Sequence, residues 1–308
     1  MPEITAVLVK ELREKTGAGM MDCKKALDQN NCDIEASVDW LRTKGLAAAA
    51  KKAGRVAAEG LVGLAVEGNT GAIVEINAET DFVARNEAFQ NFVKVVSALA
   101  LKSDGNIDKL KNMKYHDEQG RTVDEELTHM ISTIGENIQL RRISTIKSET
   151  KTISSYIHNS QGDGIGKIAV LVALRCDENS KQIQDFGKQL AMHIAAAKPK
   201  AVSRDDLDPD LLSRERKILV EQAKDSGKPD AIIEKMVDGR IRKFYEEACL
   251  LEQTFVMDED SKIADVIEQK AKDLSLKLSI SGFSYFVLGE GIEKREEDFA
   301  TEVAAAGR

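Results

Sequence analysis

One order of structural elements recurs along this chain: a β-hairpin, then a helix, then a later strand. In the first copy, Val62, Leu64 and Val66 alternate with smaller or polar residues, and a second alternating run follows across a turn. A helix is predicted over about 86–101, and a further strand over 138–146. Because strands joined by a short turn pair antiparallel, this copy predicts an antiparallel sheet.

The second copy has the same order of elements in the second half of the chain. Strands are predicted over 152–157 and 168–174, a helix over about 180–197, and a β-prone run over 276–288. The repeat predicts an α+β fold with two related halves, each with an antiparallel sheet. The length of 308 residues also favours about two domains, at roughly 150 residues per domain.

Three short helices are predicted before the first hairpin, over residues 4–43. The first is expected to end near Gly17, because glycine tolerates the left-handed backbone of a helix exit. Asp33 is a candidate N-cap of the third helix, which is expected to end at Lys44-Gly45. The Ala- and Lys-rich stretch 46–55 is interpreted as a helical or flexible linker at a domain boundary.

Two long charged helices with narrow apolar stripes are predicted to interrupt the second copy. Asp208-Pro209 is typical of a helix start, and Ser226-Gly227 breaks the pattern in the middle. The stripes consist of Leu211, Leu212, Ile218 and Leu219, and of Ile233, Val237, Phe244, Ala248 and Leu251. Narrow stripes of this kind predict an antiparallel coiled-coil hairpin that stands off the body.

The charge balance and the cysteine content restrict the class of protein. The chain has 44 Lys and Arg against 52 Asp and Glu, a net charge of −8, so a direct nucleic-acid partner is not expected. The four cysteines are too sparse for a disulfide framework. No apolar run approaches the roughly 18 residues of a membrane helix, and no signal peptide is apparent, so a cytoplasmic protein without a membrane partner is expected.

The sequence shows no pattern typical of an enzyme or of a cofactor site. The glycines at 162–166 before Lys167 resemble a phosphate loop, but that motif would need glycine at Gln161 and Ser or Thr at Ile168. A hairpin turn is the preferred interpretation of this stretch. No Cys or His pair has metal-ligand spacing, so no enzyme activity, cofactor or metal is predicted.

Five motifs, in the same order along the chain, resemble signatures of the bacterial elongation factor Ts family. They are Thr16–Leu27 (TGAGMMDCKKAL), Thr80–Asn86 (TDFVARN), Ile134–Ile138 (IGENI), Met192–Ala196 (MHIAA) and Gly289–Lys294 (GEGIEK). Together they cover the chain nearly end to end. The stretch 158–167 departs from the family pattern, because it is longer and richer in glycine than the usual hairpin.

The resemblance implies a fold and an activity. The implied fold is α+β, with a module similar to ubiquitin-associated (UBA) domains, two related core subdomains and an inserted coiled-coil hairpin. The expected divisions are 1–54 for the UBA-like module with its linker, 55–147 for the first core subdomain, 148–202 and 251–291 for the second, 203–250 for the hairpin and 292–308 for a C-terminal helix. The implied activity is to bind elongation factor Tu carrying GDP, eject the GDP and let GTP enter, which leaves the partner nucleotide-free in between.

The resemblance also assigns a site that acts on the partner's Mg²⁺. Thr80, Asp81, Phe82 and Val83 are expected to dislocate the ion, with Phe82 as a wedge and Asp81 as the nearby charge. The residues alone leave an alternative open for each: Phe82 as an ordinary core residue, and Asp81 as a helix N-cap or turn residue.

Further partner-binding residues are carried over from the same resemblance. They are Arg13, Met20, Met21, Lys24, Ile134, Gly135, His193, Val256 and Met257. Two adjacent methionines cannot both face one core, so at least one is expected on an adaptable surface. For His193, which lies on an apolar helical stripe, a core position stays open as the alternative.

Two other functions remain open at this point. One is a UBA-type protein-binding adaptor without exchange activity, and the other is an enzyme with an unrecognised carboxylate site between the two halves. The number of chains in a complex with elongation factor Tu, one pair or a dimer of such pairs, is also open.

Overall fold

The computed structural model describes residues 4–115, 120–150, 152–224 and 229–293. In these ranges the helices are α1 (Ala6–Thr16), α2 (Met20–Gln29), α3 (Ile34–Lys52), α4 (Glu87–Ala100), α5 (Ile107–Lys111), α6 (Val123–Ile134), α7 (Lys181–Ala197), α8 (Pro209–Lys224), α9 (Asp230–Ala248) and α10 (Ile263–Leu274). The strands are β1 (Glu59–Glu67), β2 (Thr70–Ala78), β3 (Ile138–Lys147), β4 (Thr152–His158), β5 (Ile165–Gly166), β6 (Ile168–Arg175), β7 (Thr254–Phe255), β8 (Asp258–Lys262) and β9 (Ser279–Val287). This mixture of helices and antiparallel strands confirms the predicted α+β class. None of the helices in the described ranges is long and apolar enough to cross a membrane.

Two antiparallel sheets repeat one topology. The first has the strand order β3-β2-β1-β5 and the second has the order β4-β6-β9. In each sheet a later strand pairs with the second strand of the hairpin, and a helix follows that hairpin in the chain. The register shifts after Glu75 in β2 and after Ala173 in β6, at the same point of the two strands. The predicted repeat of hairpin, helix and later strand is confirmed.

The sheets pack face to face, and one helix covers the outer side of each. Ile73 of β2 and Leu171 of β6 belong to the buried apolar cluster between the sheets. Phe92 of α4 lies in the cluster on the outer face of the first sheet, and Phe186 of α7 lies in the corresponding cluster of the second. Period-two alternation therefore buries both faces of the central strands.

A buried carboxylate links the first sheet to the chain that follows β9. Glu75 is fully buried, and its carboxylate accepts hydrogen bonds from Arg141 Nη1 at 3.0 Å and Arg142 Nε at 2.5 Å. The backbone N–H of Gly289 donates to the same carboxylate at 2.8 Å. The side-chain amide of Asn77 donates as well, at 3.1 Å. A buried charge is tolerated where it is paired and hydrogen-bonded, and here four donors satisfy it.

The third helix differs from its prediction, because it does not end at Lys44-Gly45. α3 continues to Lys52, so the linker expected over 46–55 is mostly helical. Gly45 is buried, and a Cβ placed on it would lie 3.6 Å from Ser132 Cβ of α6. The helix continues through Gly45 although glycine costs roughly 1 kcal/mol inside a helix, because α3 packs along α6.

The glycine-rich stretch before Lys167 is more than the hairpin turn predicted from the sequence. Its residues Ile165–Gly166 form β5, which pairs with β1 of the first sheet. A Cβ on Gly166 would lie 2.5 Å from Ile157 Cγ2 and 2.9 Å from the His158 carbonyl oxygen. Only glycine therefore fits where this loop bridges the two sheets.

Helices α8 and α9 pack on each other in the region predicted as an inserted hairpin. Leu219 of α8 and Val237 of α9 lie in one buried cluster. The predicted stripe is wrong at Ile218, which is 51% exposed. Phe244 is partly buried and packs in a second cluster with Leu211 and Ala248, which are also stripe residues. The C-terminal helix predicted over 292–308 lies outside the described residues from 294 onward.

Candidate partner-binding site

Phe82 lies at an exposed tip that follows β2. Its side chain is 74% exposed, which excludes the alternative of an ordinary core residue. The next two residues, Val83 and Ala84, are buried and begin a single 3-10 turn over Val83–Arg85. These two buried side chains anchor the turn, and Phe82 is left outside the core.

Asp81 lies beside Phe82 and is also exposed. Its carboxylate is 3.5 Å from Arg85 Nη2, and both side chains are more than half exposed. An exposed ion pair of this kind stabilises by at most about 1 kcal/mol, so Asp81 can exchange this partner for another at little cost. Asp81 and Arg85 line an open cleft of about 310 Å³. The other residues of its wall are Glu59, Ala84, Gln161 and Lys167.

Thr80 is tied to a second predicted segment, Ile134-Gly135. The backbone N–H of Thr80 donates to Glu136 Oε2 at 3.0 Å, and its hydroxyl donates to Glu136 Oε1 at 2.7 Å. Gly135 is exposed and ends α6 with a φ of 88°, whereas Ile134 is half-buried against the core of the first half. The structure therefore brings residues 80–83 and 134–135 together through Glu136.

The predicted residues of the N-terminal helices are all exposed. Met20 is 61% and Met21 is 76% exposed, and neither methionine faces the core. The buried positions of α2 belong to Cys23, Ala26 and Leu27 instead. Arg13 of α1 and Lys24 of α2 are exposed as well.

His193 is a core residue, so a direct contact of its ring with a partner is not available in this structure. Its exposed fraction is 0%. The Nε2 atom lies 2.8 Å from Gln253 Oε1, and the backbone N–H of Val256 donates to Nδ1 at 3.3 Å. Since Nδ1 accepts, Nε2 carries the proton and the ring is neutral. Burial lowers the pKa of His193, and the hydrogen bond to Gln253 opposes this shift only in part.

The ring of His193 supports a turn that carries two other predicted residues. Val256 and Met257 connect β7 to β8 and are 47% and 45% exposed. The hydrogen bond to the Val256 N–H places the turn relative to α7. His193 therefore contributes from within the core, by holding the turn on which Val256 and Met257 are exposed.

Two residues that organise the site are absent from the predicted set. Glu136 lies inside the Ile134–Ile138 motif. Its position next to Gly135 in that motif is the sequence signal that could have identified it. Gln253 holds His193 from 60 positions away in the sequence, and no local pattern indicates that contact.

Comparison with known proteins gives one consistent result. A family model described as "Elongation factor TS" matches residues 79–290. A protein of Rhodospirillum rubrum named "Elongation factor Ts" is 58% identical over 305 residues, which cover 99% of each chain. Proteins of Sphingopyxis alaskensis and Rhodospirillum centenum with the same name are 57% and 56% identical, again over 99% of each chain.

Proposed function

The chain belongs to the elongation factor Ts family, and from that premise we propose that it exchanges guanine nucleotides on elongation factor Tu. It binds the GDP form, loosens Mg²⁺ and the phosphates, and stays on the nucleotide-free partner until GTP enters. It makes and breaks no covalent bond and needs no cofactor. The observation that supports this most is the exposed Phe82, held between Thr80, which is hydrogen-bonded to Glu136, and Val83, which is buried in the core.

The proposed mechanism uses the sensitivity of Mg²⁺ to geometry. Mg²⁺ requires nearly ideal octahedral coordination, so a small displacement of the partner's ligands weakens its binding. Phe82 enters an apolar pocket of the partner as a wedge, and Asp81 brings a negative charge towards the metal site. Once the ion leaves, the GDP phosphates lose their neutralising charge. By thermodynamic reciprocity, bound nucleotide weakens the exchange factor's own affinity by the same factor.

Two further surfaces hold the partner in this proposal. Arg13, Met20, Met21 and Lys24 form one, and methionine suits a surface that must adapt to another protein. Val256 and Met257, held by His193, form the other. Ile134 and Gly135 lie beside the tip, where Gly135 can approach the partner closely.

The remaining expectations are kept as proposals on the basis of the family. They are a UBA-like character for 1–54, core subdomains over 55–147 and over 148–202 with 251–291, a coiled coil over 203–250, a cytoplasmic location, no direct contact with nucleic acid, and assembly either as one pair or as a dimer of such pairs. The net charge of −8 supports a protein partner over a nucleic acid.

A nucleotide-release assay tests the proposal. Elongation factor Tu is loaded with fluorescent GDP, and catalytic amounts of this chain are added with excess unlabelled nucleotide. Release faster than the spontaneous rate is expected, and the spontaneous rate alone would reject the proposal.

The same nucleotide-release assay distinguishes an exchange factor from a UBA-type adaptor that only binds protein. The exposed methionine pair favours it as a second candidate, because apolar side chains exposed on one small module are suited to binding a protein segment. An adaptor binds elongation factor Tu or another protein without accelerating release, and its binding does not change on Phe82→Ala. An exchange factor accelerates release and loses that acceleration on the same substitution.

A further inference from the structure

Two carboxylates form hydrogen bonds between the segment after β2 and the segment before β3. Glu136, which follows α6, accepts two hydrogen bonds from Thr80. In the opposite direction, Glu79, which precedes Thr80, accepts the backbone N–H of Asn137 at 2.6 Å. Each segment therefore supplies a carboxylate to the other, and we name Glu79, Thr80, Glu136 and Asn137 the reciprocal clamp.

A third segment joins the reciprocal clamp from the end of α3. The Asn137 side chain is buried, and its amide N–H donates to the Arg55 carbonyl oxygen at 2.7 Å. The Arg55 guanidinium lies 3.4 Å from the Glu79 carboxylate. Hydrogen bonds to charged groups are the stronger ones, and most of the contacts here are of that kind.

The reciprocal clamp lies directly before the exposed tip. Thr80 is the last residue held by Glu136, and the next two residues are Asp81 and Phe82, which are exposed. Val83 then re-enters the core. The tip is thus a two-residue projection between a hydrogen-bonded residue on one side and a buried residue on the other.

We propose that Glu136 is a positioning residue for exchange, which holds Thr80 so that Asp81 and Phe82 are presented in one conformation. This inference rests on the proposed exchange function and adds a residue that acts through Thr80. A loose tip would spend only part of its time in the conformation that enters the partner. Loss of Glu136 therefore lowers the maximal rate of release and leaves the encounter with the partner intact.

The same geometry connects the tip to the N-terminal helices. α6, which ends just before Glu136, packs closely on α3 at Gly45, and the position of a Cβ on Gly17 would be 2.9 Å from the His129 ring of α6. Arg55 enters the reciprocal clamp from the end of α3. The N-terminal helices are thereby connected to the tip in two ways, by packing on α6 and by the hydrogen bonds of Arg55 in the reciprocal clamp.

The experiment compares Glu136→Ala with Glu136→Gln in the full chain. Alanine removes both acceptors. Glutamine restores the clamp in part, because its amide oxygen accepts the Thr80 N–H and its amide N–H donates to the Thr80 hydroxyl. Asp206→Ala is the matched control, since Asp206, in the loop between α7 and α8, accepts both the backbone N–H of Ser203 at 3.0 Å and its hydroxyl at 2.6 Å.

Two quantities are measured for each variant. The first is the dependence of GDP release from elongation factor Tu on the concentration of this chain, which separates kcat from KM. Glu136→Ala is expected to lower kcat about tenfold, the equivalent of one lost charged hydrogen bond, with KM within about twofold. Glu136→Gln recovers most of kcat, and Asp206→Ala matches the wild type. The second is amide hydrogen exchange over 79–83 in the free chain, which is faster in Glu136→Ala and near wild type in Glu136→Gln.

The outcomes separate this inference from the proposed function. If the wild type accelerates release and Glu136→Ala does so with an unchanged kcat, Glu136 has no positioning role. A raised KM with unchanged kcat would make it a binding contact and also overturn the inference. If the wild type itself does not accelerate release, the proposed function fails and the inference fails with it. If Glu136→Ala does not fold, Thr80→Val is used in its place, because valine keeps the shape of threonine and removes the hydroxyl donor. An unchanged kcat in Thr80→Val refutes the inference equally.

Discussion

Truncation of Phe82 gives the most quantitative prediction of the wedge mechanism. The residue is 74% exposed in the free chain, so about three quarters of its surface is available for burial in a partner. Full burial of a phenylalanine side chain stabilises by roughly 1.5–3 kcal/mol, and this fraction corresponds to about 1–2 kcal/mol. If that burial occurs as the nucleotide leaves, Phe82→Ala slows GDP release by roughly five- to thirtyfold.

The assay must separate this effect from a loss of folding. Because the side chain is exposed, Phe82→Ala is expected to change the free energy of unfolding by no more than about 0.5 kcal/mol, which urea denaturation measures. Release of fluorescent GDP from elongation factor Tu is then followed at saturating concentrations of each variant. Phe82→Leu is the control, since it keeps an apolar side chain and is expected to retain part of the acceleration. Wild-type acceleration by a folded Phe82→Ala protein would refute the wedge.

Three further predictions concern other parts of the molecule. His193 stays neutral in the fold, whereas in the unfolded chain it takes up a proton below its ordinary pKa of about 6.5. The free energy of unfolding therefore falls as the pH drops below about 6.5, by at most about 1.4 kcal/mol per pH unit. Urea titrations at several pH values measure this slope, and His193→Gln is expected to flatten it. Replacing both Met20 and Met21 with serine leaves the unfolding free energy unchanged within about 0.5 kcal/mol, because both are exposed, and raises KM for nucleotide release without lowering kcat. Glu75→Gln leaves two arginines without their buried partner and lowers the unfolding free energy by about 3 kcal/mol in urea denaturation.

Each of these predictions has a result that contradicts it. An unchanged pH slope in His193→Gln would mean that the ring does not stay neutral in the fold. An unchanged KM in the double methionine variant would remove the N-terminal helices from the partner surface. A Glu75→Gln protein as stable as the wild type would show that the buried carboxylate contributes nothing beyond its desolvation cost.

The sequence predicts the repeated elements well because their signals are local. Strands β1 and β2 show clear alternation, and the order of hairpin, helix and later strand follows from pattern alone. The helix α6 is absent from the prediction although a local signal exists: Thr122 and Glu125 form a capping box before an apolar face. The end of α3 could not be predicted, because the packing of Gly45 against Ser132 depends on a residue far along the chain.

For the candidate site, too, some features can be predicted from the sequence and others depend on residues that are distant along the chain. The resemblance supplies Phe82, Met20 and Met21, and their exposure is a property that only the fold decides. Local patterns do not decide whether His193 lies in the core or on the surface, because its partner Gln253 is distant in sequence. The contribution of Glu136 also depends on two strand ends meeting, which a single-sequence pattern does not report.

The proposed exchange function requires this chain to act repeatedly on the metal and phosphate site of another protein. The direct measurement is the amount and rate of labelled GDP released when far less of this chain than of loaded elongation factor Tu is present, with excess GTP. We predict that nearly all of the label is released, well above the spontaneous rate, so that each molecule serves many partners. Release limited to the amount of chain added, or at the spontaneous rate, would show that this chain is not an exchange factor.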